Sequence, residues 1–129
     1  MDYGLKVGMT AQVEKKVEEN DTAVKFGSGS VTVLATPMLV ALMENAALSA
    51  VDPFLGGSLA TVGTSLNVKH IAATPVGMKV RAKAELVNIE GKKLTFRLEA
   101  YDDREKVGEG THERYIIELS KFLERAAKK

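Results

Sequence analysis

Three polar side chains stand where apolar packing alone does not account for them, namely Thr36, Glu44 and His70. Thr36 opens a nearly all-apolar stretch, and Glu44 lies in the middle of it. A carboxylate in apolar surroundings loses solvation, so it needs a partner or a proton. A hydroxyl, a carboxylate and an imidazole are also the groups that acyl transfer requires. Because many proteins contain all three residue types, their positions have to support the hypothesis.

Each of these residues also has a purely structural interpretation. Thr36 precedes Pro37, and a hydroxyl residue followed by proline is typical of a helix start, with the threonine as N-cap. Taken alone, this capping role is the favoured one for Thr36. Glu44 could pair with a surface lysine or face a small wet gap, and His70 could be a satisfied core histidine. A helix start also presents free N–H groups and a positive dipole end, which suit a developing oxyanion.

The stretch 36–51 predicts a long helix around which the other elements are arranged. Its apolar residues do not keep to one stripe, which is typical of a helix buried on all sides. It would span about 24 Å, which is short for a membrane crossing. Glu44 lies about 12 Å along the axis from Thr36, so the two side chains cannot touch within one helix. A histidine from a neighbouring strand, or a second subunit, would have to bridge them or separate their roles.

Alternating apolar and polar residues predict five strands around this helix. The predicted ranges are 9–18, 59–72, 78–88, 94–101 and 107–119, with a loop at 19–30 and a short amphipathic helix from 120. The short links after the central helix demand antiparallel pairing. The sequence therefore predicts an α+β fold, a curved antiparallel sheet wrapped over one helix, in which each edge strand invites pairing in a homodimer. Whether dimers pair further into tetramers stays open.

Strand parity places His70 on the face that should meet the helix. The predicted companions on that face are Ala60, Val62, Thr64, Leu66 and Val68.

The last predicted strand contains a second polar group of interest. His112 and Arg114 share one of its faces and Glu113 takes the other, for which a solvated or interface ladder is the favoured interpretation. Gly108 and Gly110 in the same strand predict a bulge or a close backbone approach.

Composition limits the class of protein. The 129 residues, 45% of them apolar, are expected to form one domain spanning 1–129. A net charge of +1 gives no support to a nucleic-acid or membrane-binding surface. The absence of cysteine excludes disulfides and thiolate sites, and two histidines without zinc-site spacing argue against a metal. Residues 1–10 lack the apolar segment of a signal peptide, so we expect a cytoplasmic protein. We also expect no cofactor.

Three longer segments extend these observations, namely ATPMLVALMENA, VKHIAATPVGMKVRAKAEL and VGEGTHERYII. In order and spacing the chain resembles the hot-dog-fold thioesterases of the fluoroacetyl-CoA thioesterase type over about 33–119. The resemblance implies a hot-dog fold with an acyl-CoA substrate. It also implies a set of site residues, with catalytic Thr36, Glu44 and His70 and substrate-binding Gly63 and Arg114.

The segment that corresponds to the family's aromatic lid is 25–33, KFGSGSVTV, and Phe26 is its only aromatic residue. The resemblance therefore implies hydrolysis of a short-chain acyl-CoA without naming the acyl group. An alternative is a non-catalytic hot-dog module that binds acyl-CoA or another small acid. A hot-dog dehydratase is a third hypothesis, and it would leave the threonine without a role.

Overall fold

A computed structural model describes residues 2–129. Its strands are β1 (Thr10–Lys16), β2 (Leu59–His70), β3 (Lys79–Glu90), β4 (Lys93–Tyr101) and β5 (Lys106–Glu118), and its helices are α1 (Ala23–Phe26), α2 (Thr36–Val51) and α3 (Leu119–Ala127). Short 3₁₀ turns lie at Glu19–Asp21 and Asp52–Phe54. The predicted strands, central helix and C-terminal helix are all present, with ends that differ from the prediction by a few residues.

The five strands form one antiparallel sheet in the order β1-β3-β4-β5-β2. The sheet wraps around α2, and its buried apolar residues meet the helix there. Those of β3 and β4 are fully buried, and they are the residues that strand parity predicts: Val80, Ala82, Ala84, Leu86, Leu94, Phe96, Leu98 and Ala100. The predicted α+β arrangement is therefore confirmed. β1 and β2 are the two edge strands of the sheet.

Helix α2 is buried on one side only, so the prediction of burial on all sides is wrong for the protomer. Leu39 and Met43 are fully buried against the sheet, whereas Pro37, Ala41 and Asn45 are exposed. These exposed residues are four apart and form one stripe along the helix. The stripe is uncovered because a single sheet packs against only one side of the helix.

The start of α2 also differs from the prediction, because Thr36 is the first helical residue and not its N-cap. Ala35 is the N-cap, and no side chain caps the helix. The Ala35 N–H donates to the Asp21 carbonyl at 2.8 Å, and the Leu34 N–H donates to the Thr74 carbonyl at 2.9 Å. These bonds hold the chain up to Ala35 in an extended conformation, and helical geometry begins at the next residue. The Thr36 hydroxyl is consequently not used for capping.

The predicted loop at 19–30 contains regular structure. After the 3₁₀ turn, the Thr22 hydroxyl accepts a hydrogen bond from the Lys25 N–H and caps the one-turn helix α1. Gly27 ends α1 with a φ of 87°, which glycine adopts without strain. The prediction of an unstructured loop is therefore wrong for its first half.

An irregularity in β2 decides which side chains face the helix. Gly63 pairs with Arg114 and Ser65 pairs with Glu113, so Thr64 is an extra residue that forms a bulge. A bulge reverses strand parity, because two residues on one strand then oppose one residue on the other.

The predicted parity of β2 is therefore right on one side of the bulge and wrong on the other. Leu66 and His70 share the inward face after the bulge, since they oppose His112 and Gly108. Before the bulge, Thr61 is buried and faces inward, and the outward residue is Val62. Ala60 and Thr64 likewise do not share the inward face with His70.

Within residues 2–129, no helix combines the length and the apolarity that crossing a membrane requires.

Candidate active site

The ends of two elements bring Thr36 and His70 together. Thr36 is the first residue of α2 and His70 is the last residue of β2. The segment after His70 pairs with the segment before Thr36 through a bridge between Val33 and Pro75. As a result, Thr36 Oγ1 lies 2.8 Å from His70 Nδ1, which is a hydrogen-bond distance.

The surroundings of His70 favour its neutral form. Burial lowers the pKa of His70, and the nearby Ala72 backbone raises it by a smaller amount. A neutral imidazole has one nitrogen that accepts and one that donates. With Nδ1 accepting from the Thr36 hydroxyl, the proton is on Nε2, which is buried and has no hydrogen-bond partner within residues 2–129. This hydroxyl–imidazole pair has the geometry of a nucleophile and its general base.

Glu44 belongs to a second cluster. Its Oε2 atom lies 3.9 Å from Arg114 Nη1, and the Glu44 side chain is 36% exposed. Gly63 lies beside this pair, since a Cβ atom at that position would be 2.8 Å from Glu44 Oε2. Within residues 2–129, no ion pair or hydrogen bond joins Glu44 to His70. One protomer therefore holds the predicted residues as two groups, Thr36 with His70, and Glu44 with Gly63 and Arg114.

Arg114 is buried and is held by contacts with protein groups. Its Nε donates to Thr61 Oγ1 at 2.8 Å and its Nη2 donates to the Thr61 carbonyl at 2.9 Å. The Thr61 hydroxyl in turn donates to Asp52 Oδ1 at 2.6 Å. A buried guanidinium needs such partners because an unpaired buried charge is costly. The network fixes the cation next to Glu44.

His112 completes this network. Its Nδ1 lies 2.8 Å from the Ser65 carbonyl and its Nε2 lies 3.1 Å from Arg114 Nη1. Arg114 can only donate, so Nε2 is the accepting nitrogen and the proton is on Nδ1, which donates to Ser65. Burial lowers the pKa of His112, the Ser65 contact raises it by less, and Arg114 lowers it further. His112 is therefore a neutral, fixed residue.

The prediction that His112 and Arg114 form a solvated or interface ladder is wrong. Both are buried on the inward face of β5, the face that also includes Gly108 and Ile116. At Gly108 a Cβ atom would lie 2.9 Å from Leu39 Cδ2, so the predicted close approach is confirmed. Parity with Ile116 was the signal in the sequence that could have predicted the burial of the two polar residues.

Sequence reasoning missed Asp52 and Thr61 altogether. Asp52 directly follows the predicted helix 36–51, and strand parity without a bulge places Thr61 on the outward face of β2. In the sequence, only the parity of β5 indicates that Arg114 is buried and therefore needs hydrogen-bond partners.

A cleft of 390 Å³ opens next to the hydroxyl–imidazole pair, and both Thr36 and His70 line it. Two larger cavities, of 830 and 520 Å³, are lined by neither residue. Because the cleft contains the reactive pair, we take it as the candidate active site. No group of three potential metal ligands is found among residues 2–129.

Comparisons with known proteins agree with this arrangement. The family model described as fluoroacetyl-CoA-specific thioesterase, FlK, matches residues 17–120. The fluoroacetyl-CoA thioesterase of Streptantibioticus cattleyicolor is 44% identical over 90 residues, which are 70% of this chain and 65% of that relative. The match thus spans slightly less than two thirds of the relative's length.

Solved structures extend the similarity to nearly the whole chain. A structure of the fluoroacetyl-CoA thioesterase FlK is 35% identical, with a TM-score of 0.92 and coverage of 98% of both chains. A threonine-to-serine mutant of FlK in complex with acetyl-CoA is 34% identical, with a TM-score of 0.89 and coverage of 96% of this chain and 98% of that one.

A more distant neighbour supports the fold alone. It is a hot-dog-like protein from Thermanaerovibrio acidaminovorans, which is 22% identical, with a TM-score of 0.89 and coverage of 99% of this chain and 96% of that one. The predicted hot-dog fold is confirmed by these neighbours. The extent of the family match and the identity to its curated relative lead to one conclusion: the chain belongs to the fluoroacetyl-CoA-specific thioesterase family.

Proposed function

We propose that this protein hydrolyses the thioester of a short-chain acyl-CoA to a free acid and CoA. The observation that carries the proposal is the 2.8 Å contact between Thr36 Oγ1 and His70 Nδ1 at the mouth of a cleft. Its relatives support the same substrate class, since they include a fluoroacetyl-CoA thioesterase and a FlK mutant in complex with acetyl-CoA.

In the proposed chemistry, His70 Nδ1 removes the proton of the Thr36 hydroxyl. The Thr36 oxygen forms a bond to the thioester carbon, the carbon–sulfur bond breaks, and the imidazolium returns its proton to the leaving CoA sulfur. His70 then removes a proton from a water molecule, which attacks the acyl carbon. The bond to the Thr36 oxygen breaks, and the imidazolium returns the proton to that oxygen. In a second version Thr36 only positions a water molecule, and His70 deprotonates that water directly. Mass spectrometry of protein quenched during turnover distinguishes the versions, because only the first adds an acyl group to Thr36.

The N-terminus of α2 supplies the means to stabilise the oxyanion. The first N–H groups of a helix have no acceptor within the helix, and the dipole makes this end positive. The Thr36 N–H is the first of them, and Pro37 has none to offer. A carbonyl oxygen placed there would develop negative charge beside a donor that is already oriented.

Glu44 enters this scheme through a homodimer. β2 is a twelve-residue edge strand with a free side, and two copies could pair there across a two-fold axis. With the axis at Asn67 and Thr64 left out of the pairing as the extra residue of the bulge, the partner's Gly63 would lie opposite His70. Since Glu44 is adjacent to Gly63 in each protomer, the partner's Glu44 would accept a hydrogen bond from His70 Nε2 and orient the imidazole. The lack of a hydrogen-bond partner for Nε2 within residues 2–129 supports this pairing.

A thiol-release assay with a panel of acyl-CoAs tests the function. We expect turnover that His70→Ala abolishes and Thr36→Ala reduces by at least about a hundredfold, the scale set by general-base catalysis. Thr111→Ala is a matched control, since Thr111 is an exposed threonine on the outer side of the sheet. Acyl-CoA binding without thiol release over hours would instead support the non-catalytic binding module. Full activity in His70→Ala would refute the assignment.

Mixing two inactive variants tests the shared site. A dimer of one His70→Ala chain and one Glu44→Gln chain contains one intact site only if His70 and the partner's Glu44 act together. We therefore expect activity to return when the two variants are refolded together. Continued inactivity of a mixed dimer, with its formation verified by mass, would mean that each site uses a single chain.

A further inference from the structure

The walls of the 390 Å³ cleft restrict the kind of acyl group that fits there. Residues 28–31, 33–34 and 71–73 with Ala23 line it, together with Thr36 and His70. Among residues 2–129, those that line the cleft include no Lys, Arg, Asp or Glu, and no Phe, Tyr or Trp. The walls are therefore aliphatic or small, apart from the hydroxyl groups and the imidazole.

The size of the cleft exceeds what the smallest acyl groups need. A water molecule takes about 30 Å³ in the liquid, so 390 Å³ corresponds to roughly thirteen waters. An acetyl group has only three non-hydrogen atoms and would leave most of this space to solvent. Phe26 does not line the cleft, so it does not narrow the space for the acyl group.

Two aliphatic side chains on the rim have a large exposed surface. Val31 is 58% exposed and Ile71 is 49% exposed, and both line the cleft. Exposed apolar surface inside a concave site is typical of a surface that a ligand covers. An alkyl chain that extends from the thioester carbon at Thr36 would cover these side chains. An acetyl group ends at its methyl carbon and would leave them exposed.

We propose that the cleft selects uncharged aliphatic acyl groups of about four to six carbons, straight or branched, over acetyl groups and over acyl groups that end in a carboxylate. The proposal rests on the proposed function, because it assumes that the thioester carbon lies at Thr36. The aliphatic walls favour added methylenes. A terminal carboxylate would lose water there without meeting a cation.

The expected effects follow from the transfer of methylenes out of water. Burying one methylene corresponds to about a fourfold gain, so kcat/KM should rise roughly tenfold or more from acetyl-CoA to butyryl-CoA. Succinyl-CoA has the four-carbon chain of butyryl-CoA with a carboxylate in place of the terminal methyl, which makes it the matched test of charge. We expect its kcat/KM to be lower than that of butyryl-CoA by about a hundredfold.

Two measurements on the full chain keep the inference separate from the proposed function. The first is thiol release from acetyl-, butyryl-, isovaleryl-, hexanoyl- and succinyl-CoA. The second is calorimetric binding of the thioethers S-ethyl-, S-butyl- and S-carboxypropyl-CoA, which lack the thioester carbonyl and cannot be cleaved by hydrolysis at that position. If S-butyl-CoA binds most tightly but no thioester is cleaved, the inference stands and the proposed function fails.

A substitution that fills the cleft supplies the internal control. Ser30→Phe places a ring in the cleft, whereas Ser30→Ala removes the hydroxyl and keeps the space. We expect Ser30→Phe to reduce kcat/KM for hexanoyl-CoA at least tenfold more than for acetyl-CoA, and Ser30→Ala to leave the ratio unchanged. Thermal unfolding of both variants tests that they are folded.

The chain-length results and the succinyl-CoA result test separate parts of the inference. A preference for acetyl-CoA over butyryl-CoA in hydrolysis, or equal binding of S-ethyl- and S-butyl-CoA, would overturn the inference while leaving the thioesterase proposal intact. Comparable rates for succinyl-CoA and butyryl-CoA would overturn its charge component.

Discussion

Adding one methyl group at Gly63 perturbs the position of Glu44 with little effect on the rest of the fold. The new Cβ atom would lie 2.8 Å from Glu44 Oε2 and 3.1 Å from His112 Cε1. Ordinary contact begins near 3.4 Å, so the carboxylate oxygen has to move by about 0.6 Å. Catalytic groups need placement to about 0.5 Å, and errors near 1 Å can cost about a hundredfold. We therefore expect Gly63→Ala to lower kcat by about tenfold.

The stability of Gly63→Ala should change much less than its activity. The nearest atom is the end of a flexible side chain, so the overpacking cost should lie near the low end of about 1–3 kcal/mol. Alanine in a strand also recovers about 0.5–1 kcal/mol relative to glycine. Gly56→Ala is the matched control, because no atom lies within 4 Å of a Cβ there, and it should leave activity unchanged.

The assay is steady-state thiol release, with urea unfolding of the same samples. Glu44→Asp shortens the carboxylate and moves it away from the new methyl group. If displacement of Glu44 is the cause, the double variant should lose less activity than the product of the two single losses. Wild-type kcat in a folded Gly63→Ala protein would refute the idea that the position of Glu44 limits the reaction.

Three further predictions concern pH and packing. Burial lowers the pKa of His70, and the proposed contact with the partner's Glu44 would raise it, so Glu44→Gln should lower the pKa of His70 in NMR titrations; an unchanged pKa would contradict the contact. Gly108→Ala would place a methyl 2.9 Å from the buried Leu39 side chain, and should reduce the free energy of unfolding by about 1–3 kcal/mol in urea titrations. A hydrogen bond from Ser58, together with others, lowers the pKa of Glu118 from 4.5 to about 2. The stabilisation is thus complete above pH 4.5 and is lost as pH falls towards 2, so Glu118→Gln should flatten the decrease in urea midpoint between pH 5 and pH 2.

The central helix and the inner strands could be predicted because local patterns determine them. In β3 and β4 every second residue is apolar, and the structure buries those residues completely. Pro37 marks the helix start to within one residue, but the choice of Ala35 as N-cap depends on hydrogen bonds to Asp21 and Thr74. Such bonds join segments distant in sequence, so no local pattern predicts them.

The residue types of the site could be predicted from the sequence, but their separation into two groups could not. Thr36 and His70 meet because the chain before α2 pairs with the chain after β2. The group of Glu44, Gly63 and Arg114 depends on the bulge at Thr64, which turns Thr61 inward and leaves Gly63 beside Glu44. Gly63, next to Thr64, is a signal for a bulge within a strand, but the parity argument treats β2 as regular and is therefore wrong there.

The bulge also explains why the edge strand of the sheet can contribute to a site from both of its halves. In a regular strand Gly63 and His70 would face opposite sides, because they are seven residues apart. One extra residue between them restores a common face, and so both positions point towards the helix layer. If two β2 strands pair around Asn67, each end of the pairing then brings one hydroxyl–imidazole pair to one carboxylate. Inserting one residue between Ser65 and Leu66 should therefore abolish activity even if the protein still dimerises, since Gly63 and His70 would then lie on opposite faces of β2. Deleting Thr64 would instead leave them six residues apart in a regular strand, on a common face.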